Sequence, residues 1–95
     1  MQMTIEKSIN ELTQLPNIGK VLAQRLIEVG IITQQQFCET GFERAFLLLQ
    51  SVDPGACIQE LYAIAGAVWG VRSNDLTKEQ KELLKVFFHQ AKKGI

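Results

Sequence analysis

The residues best placed to do chemistry lie between Leu12 and Leu26, in the run Leu-Thr-Gln-Leu-Pro-Asn-Ile-Gly-Lys-Val-Leu-Ala-Gln-Arg-Leu. Pro16 ends one helix, because the residue before a proline is pushed out of the α region. Asn17 tolerates the left-handed backbone of a tight reversal. Ile18 plugs the crossing of two helices, and Gly19 leaves the backbone bare where the second helix begins. The first amides of a helix have no partners within it and sit at the positive end of its dipole, an arrangement that suits a phosphate. Lys20 adds a full charge beside them, and Gln24 and Arg25 add polar contacts one turn further on. This is the pattern of a helix-hairpin-helix. Its chemistry is a grip on one strand's phosphates that leaves the bases unread. The same hairpin also serves purely to pack helices or to dock proteins, and both uses stay open.

Outside this segment the chemistry thins out. His89 is the single histidine, with no Ser or Cys nucleophile or orienting acid in register, so no catalytic site is expected. Cys38 and Cys57 are the two cysteines, too few and too far apart for a metal site or a disulfide framework. They are expected to be reduced and buried as small hydrophobes. No cofactor is expected. Tyr62 and Trp69 share a helix face and read as core aromatics rather than a base-stacking platform. Lys78, Lys81, Lys85, His89 and Lys92 fall on one side of a helix at about 100° per residue, opposite Leu83 and Phe87. That stripe is either an extension of a phosphate track or the solvated outer face of an amphipathic helix.

The elements that must position these residues are helical almost throughout, and the expected fold is an all-α compact bundle of about five short helices containing the helix-hairpin-helix. Ser8 and Glu11 read as a capping box opening the first helix. The second runs over about residues 20–29 with Leu22, Leu26 and Val29 inward, and Gly30 ends it. Thr33 and Gln36 form another capping box, and Gly41 interrupts the helix that follows. Asp53-Pro54 predicts the start of the longest apolar helix, reaching about Gly70 with Ile58, Leu61, Tyr62, Ala65, Val68 and Trp69 inward. Ala63, Gly66, Ala67 and Gly70 leave room for a close neighbour. Thr77 and Gln80 cap a last helix whose core face is Leu83, Leu84, Phe87, Phe88 and Ala91. The spacing of Asn17-Ile18-Gly19 and Gly30 recurs in Asp53-Pro54-Gly55 and Gly66, which hints at a second, decayed hairpin.

Gross composition agrees. The 95 residues are 46% hydrophobic and 21% charged, a globular balance that fits one domain, residues 1–95. Ten basic and ten acidic side chains cancel, which argues against strong non-specific nucleic-acid binding, because such domains usually carry a positive excess. The N-terminal residues lack the layout of a signal peptide. No apolar run approaches the roughly 20 residues that span a bilayer. A cytoplasmic protein is therefore expected.

Several landmarks then fall in order: Leu15-Pro16-Asn17-Ile18-Gly19, Gly30-Ile31, Gly41 with residues 43–46, Leu61-Tyr62-Ala63 with Gly66-Ala67, and Leu76. In these the chain resembles the C-terminal domain of the TfoX/Sxy family over about residues 12–84. The resemblance implies a compact helical fold with helix-hairpin-helix character and a role in DNA-linked regulation of competence. Full-length family members carry an additional N-terminal domain. Because Met1 lies just before the hairpin helix, a free-standing product is expected and the competence role is not carried over. The expected function is a non-enzymatic module that binds DNA weakly and without sequence preference through Asn17, Ile18, Gly19, Lys20, Gln24 and Arg25. The alternative is a protein-interaction or self-association module that keeps the hairpin as scaffold, with an exposed apolar patch around residues 42–49. Partners are thus DNA, a protein or a second copy; neither a membrane nor a small-molecule substrate is expected.

Overall fold

The computed structural model describes residues 4–93; the domain limits expected at residues 1 and 95 lie outside the described residues. Among the described residues five α-helices follow one another: α1 (Ile5–Leu12), α2 (Lys20–Glu28), α3 (Gln34–Val52), α4 (Ile58–Trp69) and α5 (Lys78–Lys93), with a 3-10 turn (Ser73–Asp75) before α5. No strand occurs among the described residues. The fold is an all-α bundle in which α1 pairs with α2, α3 with α4, and α5 lies on α4. One core draws on all five helices, with Leu12, Leu26, Phe37, Phe46, Leu61 and Leu84 fully buried.

Local signals set most boundaries. The Thr33 hydroxyl accepts the Gln36 amide at 3.0 Å. Gln36 returns its side chain one residue further back than a capping box requires, accepting the Ile32 amide at 2.9 Å. Thr77 and Gln80 form the complete reciprocal box, at 2.9 and 3.1 Å, satisfying two amides that the helix leaves orphaned. Gly30 and Gly70 both adopt positive φ (91° and 72°) and end α2 and α4. Each ending carries the paired bonds of a Schellman motif: the amide of Ile31 reaches the Leu26 carbonyl, and that of Val71 the Gly66 carbonyl. Gly41, at φ 80° and ψ 162°, breaks α3 into two segments.

Four expectations need correction. The first helix starts at Ile5, capped by Thr4, whose hydroxyl accepts the Lys7 amide at 3.2 Å. Ser8 is therefore inside the helix, buried against the core, and not its cap. Helix α1 also stops at Leu12, before Pro16 acts on it, and its Glu11 carbonyl is closed off by the Gln34 side chain at 2.7 Å. Helix α4 begins at Ile58 with Cys57 as N-cap, not at Asp53-Pro54. The Asp53 carboxylate is engaged by the Gly55 amide and by Arg25, which holds the chain in a turn there. Finally, the hinted second hairpin does not follow its glycines. Gly30 terminates a helix, whereas Gly66 sits buried within one.

Burial also departs from the periodicity at particular residues. Ile64 is fully buried although the apolar stripe of its helix does not include it, and Trp69 is 36% exposed. Leu83 is 55% exposed instead of facing inward, because Leu84 and Ala91 are the buried residues of α5. Cys38 and Cys57 are both exposed: Phe37 takes the core position beside Cys38, and Cys57 lies on a helix cap. The segment 42–49 is not the expected apolar patch, since Ala45, Phe46 and Leu49 are buried and Phe42 is half-buried. Of its apolar side chains Leu47 is well exposed, at 45%, beside the exposed Glu43 and Arg44.

Candidate nucleic-acid interface

The turn between α1 and α2, residues 13–19, is shaped by Asn17. Its backbone is left-handed, with φ 69°, a conformation in which asparagine is among the least strained non-glycine residues. Its side chain points into the protein. The Nδ2 amide donates to the Val71 carbonyl at 2.9 Å and to the Ala63 carbonyl at 3.4 Å, while Oδ1 accepts the Ser73 amide at 2.9 Å. One amide thus ties the turn to the C-terminal half of α4 and the loop beyond it. The approach demands a bare backbone opposite. A Cβ at Gly66 would stand 2.6 Å from Asn17 Nδ2 and 2.5 Å from the Val71 carbonyl oxygen, distances that real Cβ atoms do not show.

With Asn17 anchored, Ile18 is buried at 4% exposure and closes the crossing of α1 and α2. Gly19 and Lys20 emerge at the surface. Gly19 is the N-cap of α2 in extended conformation, with no side chain capping the helix. The space where its Cβ would be is empty to 4 Å, and no side chain caps the first-turn amides, which a helix leaves without internal partners and which suit an anion. Lys20 and Gln24 are exposed and line a shallow depression with Glu6, Ile9 and Asn10 of α1. The carboxylate of Glu6 dilutes the positive potential there. Val21, in the same first turn, is 66% exposed.

Arg25 does not join this group. Its Nη1 donates to Asp53 Oδ2 and to Glu60 Oε1, both at 2.7 Å, fastening α2 to the α3–α4 turn and to α4. The structure therefore brings Gly19, Lys20 and Gln24 to one surface. It uses Asn17, Ile18 and Arg25 to hold that surface in place. Gly66, Val71 and Ser73 also support the site, although they lie outside the hairpin pattern. The small residues of α4 are the available signal for them, and at Gly66 the close neighbours are the Val71 carbonyl and the Asn17 amide.

The lysine stripe of α5 is partly engaged as well. The Lys92 ammonium donates to the Pro54 carbonyl at 2.9 Å and lies over the Phe88 ring, 5.4 Å from its centroid. Lys85 pairs with Glu82 at 3.7 Å, and Lys81 is half-buried. Among the described residues no group of His, Cys, Asp and Glu is arranged to hold a metal ion, and no helix is long and apolar enough to cross a membrane.

The sequence model of the TfoX C-terminal domain matches residues 8–88. Two crystal structures from Listeria monocytogenes are similar in sequence and fold. One is of an uncharacterized protein in a triclinic form, 46% identical, covering 87% of this chain and 93% of that one with a TM-score of 0.80. The other is of a protein of unknown function in a tetragonal form, 44% identical, covering 84% and 99% with a TM-score of 0.81. No curated protein matches the chain.

Proposed function

The chain belongs to the TfoX C-terminal domain family, and from that premise we propose that it is a non-enzymatic, cytoplasmic module that binds DNA weakly and without sequence preference. The contact is the N-terminus of α2, read as the second helix of a helix-hairpin-helix. The observation that carries this reading is the open, uncapped start of α2 at Gly19, with exposed Lys20 beside it and Gln24 one turn on. Asn17 and Ile18 hold the turn in shape, and Arg25 supports α2 through its carboxylate partners. With formal charge zero and Glu6 nearby, the affinity rests on few phosphate contacts. Few counterions are then released, so the salt dependence is shallow compared with that of strongly basic domains.

Fluorescence anisotropy with short duplex and single-stranded DNA tests this at low and moderate salt. Wild-type protein binds more weakly as salt rises, and Lys20→Glu abolishes binding while circular dichroism shows an intact fold. Absence of binding at tens of micromolar protein in low salt, an estimate set by the weak end of non-specific affinities, would remove the nucleic-acid reading.

A second reading, a protein-interaction module, is favoured by one observation on the far element. Helix α5 exposes Leu83 and Val86 at 55% and 57%, although neither side chain is needed on a solvated face.

A further inference from the structure

We propose that the exposed side of α5 is a self-association face whose occupant is a second copy of this chain, packed antiparallel. The inference gives the protein-interaction reading a definite partner and does not depend on the nucleic-acid reading. Along α5 the residues Glu79, Leu83, Val86, Gln90 and Lys93 are all exposed. They follow one another at intervals of four, three, four and three, the spacing of a seam between paired helices. The core side of the same helix is a different stripe, marked by buried Leu84 and Ala91.

Single exposed apolar residues are ordinary on protein surfaces; here they are continuous. Leu83 and Val86 are neighbours on the helix at i, i+3, and Leu83 is one turn from half-buried Phe87. Phe87 meets Phe42 edge-on at 6.1 Å, and Phe42 meets Trp69 at 5.2 Å. A line of aromatic contacts therefore runs from beside the seam to a tryptophan that is itself 36% exposed.

Charge selects the partner and its direction. The seam starts with an acid, Glu79, and ends with a base, Lys93. Among the described residues, neither takes part in an ion pair. A two-fold axis at Val86 sets Val86 against the second copy's Val86 and Leu83 level with its His89, beside Gln90. It also sets Glu79 against the second copy's Lys93, and this pairing occurs twice by symmetry. A parallel arrangement sets Glu79 against Glu79 and Lys93 against Lys93, which repels at both ends. The 16-residue helix is about 24 Å long. One such pair falls below the roughly 1,200 Å2 at which standard interfaces begin, so the dimer is weak and forms at about tens to hundreds of micromolar chain.

Sedimentation velocity on the full chain, from about 1 µM to 1 mM as that weak regime requires, reads the outcome directly. Wild-type protein moves from monomer to dimer and stops there. Val86→Glu, which sets two carboxylates against each other on the axis, stays monomeric throughout with an unchanged circular dichroism melt. Glu79→Lys and Lys93→Glu each weaken the dimer by about tenfold through two reversed surface pairs, and the double variant Glu79→Lys/Lys93→Glu restores it. A wild type that remains monomeric at the highest concentration overturns the proposal and leaves the face to a different protein. A dimer indifferent to Val86→Glu overturns it too. If the double variant fails to restore association, the antiparallel pairing is wrong. The anisotropy titrations read bound DNA and change Lys20 on α2, whereas sedimentation without DNA reads mass and changes residues of α5, so either reading can fail while the other stands.

Discussion

The two turns that join the helix pairs are fastened in opposite ways. In the first, Asn17 sends a neutral, half-buried amide into the end of α4 and the loop after it. In the second, Asp53 meets Arg25 of α2 as an ion pair, with 36% of each side chain exposed. Each turn thus holds the other helix pair, and the two clasps together set how α1–α2 lies on α3–α4. The difference lies in what breaking them leaves behind. Removing the Asn17 amide strands part-buried backbone groups that water replaces poorly, which is the expensive kind of loss. Removing one side of an ion pair that is about one-third exposed costs less, because solvent still reaches the charge left behind.

Variants can break or sharpen this contrast. The largest effect belongs to Asn17→Ala, which removes the bonds to Val71 and Ser73 and places alanine at positive φ. A loss of about 2–3 kcal/mol, or roughly 10–20 °C in thermal midpoint for a domain of this size, is expected in a calorimetric melt. Asn17→Gly keeps the backbone and loses only the bonds, so it falls between Asn17→Ala and wild type. Next comes Gly66→Ala. Overpacking against the Val71 carbonyl and Asn17 costs about 1–3 kcal/mol, partly offset by about 1 kcal/mol of helix propensity. Combined with Asn17→Gly the effect is less than additive, because one of the two clashing groups is gone.

Arg25→Ala opens both ion pairs and leaves Asp53 beside the largely buried Glu60 carboxylate, whose Oε2 has no hydrogen-bond partner, and costs about 1–2 kcal/mol. Its signature is that the Asp53 part of this difference shrinks in 1 M salt, where screening reaches about 3 Å, whereas the Asn17 variants keep theirs. Asp53→Asn is the mildest, at a few tenths of a kcal/mol. It retains an acceptor for the Gly55 amide, and Arg25 still holds Glu60. Should urea titration show Arg25→Ala to be as costly as Asn17→Ala, the ionic clasp is structural on the same footing as the neutral one, and the contrast fails.

Much of the architecture is legible in the order of the residues. The helical content, the breaks at Gly30, Gly41 and Gly70, the Thr33 and Thr77 caps and the left-handed Asn17 all depend on bonds within a few residues. The candidate site is legible in the same degree. Gly19, Lys20 and Gln24 follow from the hairpin pattern and lie together at the surface. The roles of Asn17 and Arg25 are not legible, because their partners stand 28 to 56 residues away. Ser8 and Asp53 mislead for a related reason. Each has the side chain of a cap, but Thr4 stands ready one turn earlier, and Arg25 and the Gly55 amide engage Asp53 first.

Sequence by itself therefore determined the helical class, most of its punctuation and the family, since each rests on short-range stereochemistry and pattern. Tertiary structure alone decided which faces are covered: that Leu83 and Val86 look outward, that both cysteines are exposed, and that Gly66 makes room for Asn17. Periodicity places residues on a common side of a helix. Whether that side meets water depends on a neighbour brought there by the rest of the chain.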